Sequence, residues 1–131
     1  MTPNPIAMGL LLCDYAVVEE VTRKVTLAGE FTSLWAEEFP MPPRDFCAYS
    51  VLSDGVGRGT IELVVTHLDS DDELLTLRRE CEFTDKLARV RVLYWLREFS
   101  FPAPGIYELA ILVDREPITR CRLSVFQVEE E

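Results

Sequence analysis

The residues whose types could support catalysis are concentrated in one segment of the chain. His67 is the only histidine, and the acidic run Asp69-Ser-Asp-Asp-Glu73 follows it closely. A histidine can act as the general base for a nucleophile, but no Gly-x-Ser-x-Gly elbow and no activated-cysteine signature accompanies this one. We therefore predict that His67 ends a strand with a local hydrogen bond, and that the chain has no catalytic residue.

The acidic run suggests a second kind of chemistry, because carboxylate oxygens are good calcium ligands. Calcium takes about six to eight oxygens, and some β-sandwich membrane-binding domains collect acidic side chains on loops at one end. The spacing within Asp69–Glu73 is not that of an EF-hand, and one acidic turn offers few fixed oxygens. We predict a solvated turn with no metal and no cofactor. A calcium-dependent membrane-binding module remains an alternative.

The four cysteines lie in apolar stretches and include no Cys-x-x-Cys pair, so they fit neither a zinc site nor a redox motif; they are Cys13, Cys47, Cys81 and Cys121. The segment before the first of them ends in Leu-Leu-Leu-Cys, like a bacterial lipoprotein cleavage site. It lacks a basic region, and its apolar run is short for an export signal. We predict reduced thiols that pack as small hydrophobes, and a cytoplasmic location.

The segment Ala88–Phe99 alternates between two kinds of residue. Its even positions are apolar, whereas its odd positions mix cations with large apolar groups. The two sets face opposite sides of a strand, and burying an unpaired arginine costs on the order of several kcal/mol, so the even set must face the core. The outward set has the composition of an interface hot spot, and we predict that it binds a partner: Arg89, Arg91, Leu93, Trp95 and Arg97.

Two alternatives to this partner-binding stripe remain open. A bulge after Arg91 would turn Leu93 and Trp95 inward. A loop could instead cover Trp95 while the arginines pair with Glu80 and Glu82. If the stripe is exposed, replacing Trp95 with Ser should cost under about 1 kcal/mol of stability. The stripe would also extend onto the last strand if that strand packs nearby, through Arg120, Arg122 and Phe126.

Strands are the elements that must position these residues, since apolar residues recur with period two and turn residues separate the runs. Phe39-Pro-Met-Pro-Pro43 is incompatible with a strand and predicts a crossing between sheets. The pattern predicts an all-β fold, an antiparallel two-sheet β-sandwich of about eight strands. The predicted strands are Met8–Cys13, Val25–Trp35, Phe46–Leu52, Thr60–Leu68, Leu74–Phe83, Ala88–Phe99, Ile106–Val113 and Ile118–Val128.

Length and charge limit the organisation and the partners. The chain has 131 residues, which fits one domain, and we assign residues 1–7 to an N-terminal arm, 8–128 to the domain and 129–131 to an acidic tail. The formal net charge of −10 argues against nucleic acid as a ligand. No apolar run reaches the length of a membrane-spanning helix. We predict a non-enzymatic module that binds a protein partner or itself, with a small-molecule or sugar binder using sandwich-end loops as the alternative.

Two motifs carry a family resemblance over roughly residues 8–128. One is Leu11-Leu-Cys-Asp14 followed by Lys24-Val-Thr-Leu-Ala-Gly-Glu-Phe31, and the other is Phe101-Pro-Ala-Pro-Gly-Ile-Tyr107 leading into Val113-Asp114. Together they resemble an uncharacterised family of small bacterial proteins, a domain of unknown function. The resemblance implies an immunoglobulin-like sandwich and a bacterial origin, and it assigns no catalytic residue. The link before Lys24 lacks the glycine that the family leads us to expect.

The motif residues also have physical roles that can be predicted. Gly29 lies inside a strand, which indicates a bulge or a close backbone approach. Pro104-Gly105 predicts a turn, because proline fixes φ and glycine tolerates positive φ. Tyr107 should bury its ring and find a partner for its hydroxyl near a sheet corner.

Overall fold

The computed structural model describes residues 5–85 and 87–129. Residues 1–4 of the predicted arm and 130–131 of the predicted tail lie outside this part. The described residues form ten strands: β1 (Ile6–Ala7), β2 (Leu11–Val18), β3 (Val25–Glu30), β4 (Ser33–Ala36), β5 (Arg44–Ser53), β6 (Gly57–His67), β7 (Asp72–Phe83), β8 (Val90–Phe99), β9 (Gly105–Val113) and β10 (Glu116–Gln127). Over these residues there is no helix of the length and apolarity needed to cross a membrane.

The first sheet, sheet I, contains β1, β2, β3, β5 and β8, with β5 at its centre. Leu52 pairs with Val90 of β8 and also with Ala7 of β1, so β1 and β8 lie on opposite edges of β5. β2 pairs with β5 further along, and β3 pairs with the far side of β2. The end of the predicted arm, Ile6–Ala7, is thus part of sheet I.

The second sheet, sheet II, has the strand order β4-β10-β9-β6-β7. Its pairs are antiparallel except one, because β4 runs parallel to β10, from Ser33 opposite Ser124 to Ala36 opposite Gln127. The predicted antiparallel two-sheet sandwich is confirmed, and the described residues form ten strands where about eight were expected, with one parallel pair.

The additional strands have a physical origin in the segment that was predicted as one strand, Val25–Trp35. The Phe31 amide still donates to the Leu12 carbonyl of sheet I, at 3.0 Å, whereas the Thr32 carbonyl accepts from Ser124 of sheet II, at 3.1 Å. The chain therefore changes sheets between two adjacent residues. Phe39–Pro43 then returns it from β4 to β5, as the prolines predicted.

The turn residues show how the hairpins close. β2 and β3 form a hairpin without the expected glycine, and Arg23 adopts a φ of 62° there instead. Gly29 has a φ of 72°, and a Cβ atom at this position would lie 2.6 Å from the Asp14 carboxylate. The sequence predicted a bulge or a close backbone approach at Gly29, and the structure shows a close approach by the Asp14 side chain, which would have to shift to admit a Cβ atom.

The core lies between the sheets and is rich in aromatic rings. Phe101 stacks on Phe46 at 5.9 Å and contacts Tyr107 edge-on at 4.9 Å. Tyr107 is fully buried, and its hydroxyl donates to the Ala103 carbonyl, which ties the segment before β9 to the core. Each such ring contributes roughly 1.5–3 kcal/mol through burial. The described residues thus form the predicted all-β two-sheet β-sandwich.

Candidate functional site

Strand β8 places the predicted stripe on the outer surface of sheet I. Val92, Tyr94 and Leu96 are buried in the core. The pairing of β8 with β5 runs without interruption from Arg91 to Leu96, so no bulge follows Arg91. The irregularity in this pair lies nearer the end of β8, where Glu98 has a φ of 49°. Period-two alternation therefore holds, and Leu93 and Trp95 face outward.

The outward residues of β8 continue as rows across the neighbouring strands. Trp95 pairs with Cys47 of β5, which pairs with Cys13 of β2. In the next row Leu93 pairs with Tyr49, which pairs with Leu11. Directly paired residues share one face of a sheet, so this outer face is apolar across three strands. We call it the outer apolar face: Leu11, Cys13, Tyr15, Cys47, Tyr49, Leu93 and Trp95.

Trp95 is half-buried within this face. Its ring packs against a small cluster whose centre is the fully buried pair Cys13 and Cys47. Tyr15 meets it edge-on at 6.2 Å, and the Arg97 guanidinium lies over it at 4.5 Å from the ring centroid. Among the described residues, the groups that cover Trp95 are thus side chains of the same sheet and do not come from a loop. Tyr15 remains 57% exposed and Leu11 45% exposed, so the face still presents apolar surface to water.

The two thiols beneath Trp95 are poor nucleophiles. Burial raises the pKa of the Cys47 thiol to about 12, and the neighbouring Cys13 adds to the effect. Burial also raises the pKa of Cys13. A thiol reacts as its thiolate, so this pair functions as packing material. All four cysteines of the chain are free.

The arginines of the stripe form its basic edge. Arg97 approaches the Asp45 carboxylate at 3.6 Å, and Arg89 contacts the sulfur of Met8 at 3.8 Å. Within the described residues, neither Arg89 nor Arg91 has an ion-pair partner. In the described residues, Glu80 and Glu82 form no ion pair with these arginines, in contrast to the predicted alternative.

The open edge of β8 is capped by an arginine from the other sheet. Arg79 of β7 donates to the Leu93 carbonyl at 2.9 Å, and its guanidinium lies 4.6 Å from the centre of the Tyr94 ring. A free carbonyl on an edge strand invites pairing with another chain, and Arg79 occupies this one. A ligand of this region would therefore contact the face of the sheet more readily than its edge.

The expected extension onto the last strand is wrong. β10 belongs to sheet II, so Arg120, Arg122 and Phe126 lie on the other layer of the sandwich and cannot continue the stripe. Phe126 instead stacks on Trp35 of β4 at 5.7 Å. The stripe extends in the other direction, onto β2 and β5. The signal that could have shown this is Leu11-Leu-Cys-Asp-Tyr15, which is apolar at its odd positions too.

His67 ends β6, and its environment is local. Its Nδ1 lies 3.1 Å from the Ser70 hydroxyl, and its Nε2 lies 3.7 Å from the Asp69 carboxylate. The ring is mostly buried and stacks on Tyr107 at 4.5 Å. This is the strand-end position with a local hydrogen bond that the sequence predicts. Within residues 5–85 and 87–129 no three His, Cys, Asp or Glu side chains are grouped to hold a metal ion.

A cleft that the sequence did not reveal lies at the end of β4. Its volume is about 810 Å³, and its wall includes the exposed ring of Trp35. The sequence pattern did not indicate this cleft, because Trp35 was predicted as the last residue of one long strand, Val25–Trp35. The cleft residues come from β2, β4, β5 and the crossing between sheets: Asp14, Trp35, Ala36, Glu37, Glu38, Met41, Pro42, Pro43, Arg44 and Asp45.

Comparison with known proteins places the chain in a family. A family model described as a family of unknown function (DUF6941) matches residues 9–126. The chain belongs to this family. The match runs from just before β2 to Phe126 in β10 and so includes strands of both sheets. A search of the curated proteins found no match.

Among solved structures, the chain is similar to the CARDB domain of a Pyrococcus furiosus protein, in complex with di-metal ions. The identity is 8%, the alignment covers 97% of this chain and 96% of that one, and the TM-score is 0.49.

Proposed function

We propose that the protein is a non-enzymatic module that binds a protein partner through the outer apolar face. The observation that carries this proposal is the apolar character of a sheet face that points away from the core. Antiparallel sheets of this kind usually present polar side chains to water. Large exposed apolar patches mark contact sites more often than they serve folding.

The charge around the face favours an acidic partner. Arg89 and Arg91 are exposed and, in the described part of the chain, form no ion pair. Their cationic groups border an apolar surface on a chain whose net charge is −10. Two copies would repel each other through that net charge, and a symmetric contact would repeat the same arginines. A partner with apolar side chains flanked by carboxylates complements the face better than a second copy does.

The absence of enzymatic activity is part of the same proposal. The single histidine stacks on a core tyrosine, and burial holds the pKa of both thiols under Trp95 above the ordinary range. These groups support packing better than they support acid–base or nucleophilic chemistry. A screen of generic esterase, phosphatase and glycosidase substrates should give no turnover, and saturable activity lost on substituting His67 would contradict the proposal.

A peptide-display selection tests the binding surface. A library of random displayed peptides is selected on the wild-type protein, and the winners are measured against Arg89→Glu/Arg91→Glu. The control variant Arg120→Glu/Arg122→Glu makes the same charge change on sheet II. We expect peptides that combine acidic and apolar residues, with affinity reduced about ten-fold or more by the first variant and by less than about two-fold by the control.

Two results would contradict this proposal. Selected peptides that bind both variants equally would place the site elsewhere. Sedimentation showing a dimer that dissociates on Arg89→Glu/Arg91→Glu would make a second copy the occupant of the face.

We also propose that the protein works in the cytoplasm, where thiols stay reduced. The four free cysteines support this location. Rapid alkylation in cells that express the protein naturally should label all four. A consistently bridged pair would contradict it.

A further inference from the structure

Trp35 and Phe126 form an exposed aromatic platform on sheet II. They are paired residues of the parallel strands β4 and β10, and their rings stack at 5.7 Å with an interplanar angle of 26°. Trp35 is 62% exposed and Phe126 is 47% exposed. Neither belongs to the core cluster. Two large aromatic rings are therefore stacked on each other at the solvent-exposed surface, outside the hydrophobic core.

The platform borders clefts whose charged groups are mostly carboxylates. The cleft of about 810 Å³ beside Trp35 contains four carboxylates, from Asp14, Glu37, Glu38 and Asp45, and one cation. A second cleft of about 480 Å³ shares Glu37 and adds Glu129. The two clefts adjoin at Glu37, so the acidic lining continues beyond the first cleft. An elongated ligand fits this arrangement better than a compact one.

The charges in the larger cleft are not equally available. The single cation, Arg44, is held by Asp14 at 2.7 Å and lies over the Phe31 ring at 5.5 Å. Asp45 accepts the Glu98 amide at 2.7 Å. Within the described residues, the carboxylates of Glu37 and Glu38 have neither an ion pair nor a hydrogen bond. Glu37 and Glu38, which carry this negative charge, thus follow Trp35 by two and three residues along the chain.

We propose that this cleft binds a basic peptide segment, with a lysine or arginine side chain lying over Trp35 and its cationic group meeting Glu37 and Glu38. An aromatic face attracts a cation within about 6 Å, and tryptophan does so best. Charge-assisted hydrogen bonds to carboxylates add directional contacts. A sugar would also stack on Trp35, but it would leave the two carboxylates without a countercharge. The aromatic platform is on sheet II and the outer apolar face is on sheet I, although sheet I also contributes Asp14, Arg44 and Asp45 to the cleft. The cleft and the outer apolar face have no residue in common.

A titration with a short capped oligoarginine peptide tests the proposal. Binding is followed by NMR through the Trp35 indole signal, and the control ligand is the matching citrulline peptide, which keeps the shape and removes the charge. We expect saturable binding of the arginine peptide and none of the citrulline peptide. Free arginine amide should bind at least about ten-fold more weakly than the arginine peptide, since it cannot span the two clefts.

Charge variants separate the site from general attraction to an acidic protein. Glu37→Gln/Glu38→Gln should weaken binding about ten-fold, whereas Glu20→Gln/Glu80→Gln, with the same change in net charge, should change it less than about two-fold. Trp35→Ala should weaken binding, and Trp35→Phe should retain part of it. Thermal unfolding checks that each variant is folded.

Several results would overturn the proposal. Equal weakening by the two double variants would show that net charge alone attracts the peptide. Equal binding of the citrulline peptide would show that the cation is not recognised. No saturable binding of the arginine peptide to folded wild-type protein would also reject the site.

Discussion

The side chains of the two tryptophans of this protein both point away from the core, but their surroundings differ. Trp95 rests on buried thiols and is covered by Tyr15 and Arg97, so it is half-buried in a continuous apolar face. Trp35 has one aromatic neighbour, Phe126, and is otherwise exposed beside carboxylates. The first environment suits a broad protein contact, in which apolar area dominates. The second suits a single side chain or a thin segment that brings a positive charge.

The difference shows what a neighbouring strand adds to an outward side chain. Trp95 is on β8, whose partner β5 is flanked in turn by β2, so three strands supply apolar neighbours. Trp35 is on β4, an edge strand of four residues with only β10 beside it. An outward tryptophan on an edge strand therefore remains exposed to solvent. An outward tryptophan with apolar strands beside its own strand packs against their side chains.

The largest expected effect checks that the two sides of β8 are assigned correctly. Tyr94, the inward neighbour of Trp95, is almost fully buried, and its hydroxyl donates to the Ile61 carbonyl at 3.0 Å. Tyr94→Ala should lower the free energy of unfolding by about 3–5 kcal/mol, as for other truncated core aromatics. Urea denaturation measures it. A cost below that of Trp95→Ser would reverse the assignment of inward and outward residues.

The next effect measures how far the outer apolar face contributes to stability. The sequence led us to expect a cost under about 1 kcal/mol for Trp95→Ser. Because the ring covers Cys13 and Cys47, we now expect about 2 kcal/mol, between a surface and a core substitution. Trp95→Phe, which keeps an aromatic ring over the thiols, should cost less. A loss of 3 kcal/mol or more, on the order of a core truncation, would make Trp95 a core residue.

Strand β8, strand β10 and Trp35 show which features of the fold and of the candidate site could be predicted from the sequence. Alternation within β8 was enough to assign Leu93 and Trp95 to the outside, since side-chain direction in a regular strand is a local property. The stripe extends onto β2 and β5, whereas an extension onto β10 was expected. This extension depends on the strand order of the two sheets, which the local sequence pattern does not determine. The Trp35 cleft was missed for the same reason: the sheet change after Phe31 is a tertiary event inside an uninterrupted β-like sequence.

A pH experiment tests the buried layer under Trp95. The pKa of the Cys47 thiol is about 12 in the folded protein, against an ordinary value of 9.0. Above pH 9 the unfolded chain loses this proton while the folded chain keeps it. The stability is therefore complete below about pH 9 and falls as pH rises towards the folded pKa. Over about pH 8 to 10.5, Cys47→Ala should show a shallower decline of unfolding free energy than the wild type.

Cys121 on sheet II provides a second case, because burial raises its pKa to about 11. Cys121→Ala should therefore also flatten the pH dependence over the same pH range. Identical pH dependence of the wild type and Cys47→Ala would mean that this thiol is accessible to water in the folded state.

The smallest effect is expected at Trp35. Trp35 is 62% exposed, and its aromatic contact is the stack with Phe126, which the replacement removes. Aromatic pairs contribute about 0.5–1.5 kcal/mol, less at exposed positions, and no buried cavity is created. Trp35→Ser should therefore change the free energy of unfolding by less than about 1 kcal/mol, measured beside Trp95→Ser under the same urea conditions. If the two substitutions cost the same, the neighbouring strands do not distinguish the two tryptophans. If Trp35→Ser costs more, the platform is a structural element of β4 and β10, and its exposure would no longer indicate a ligand.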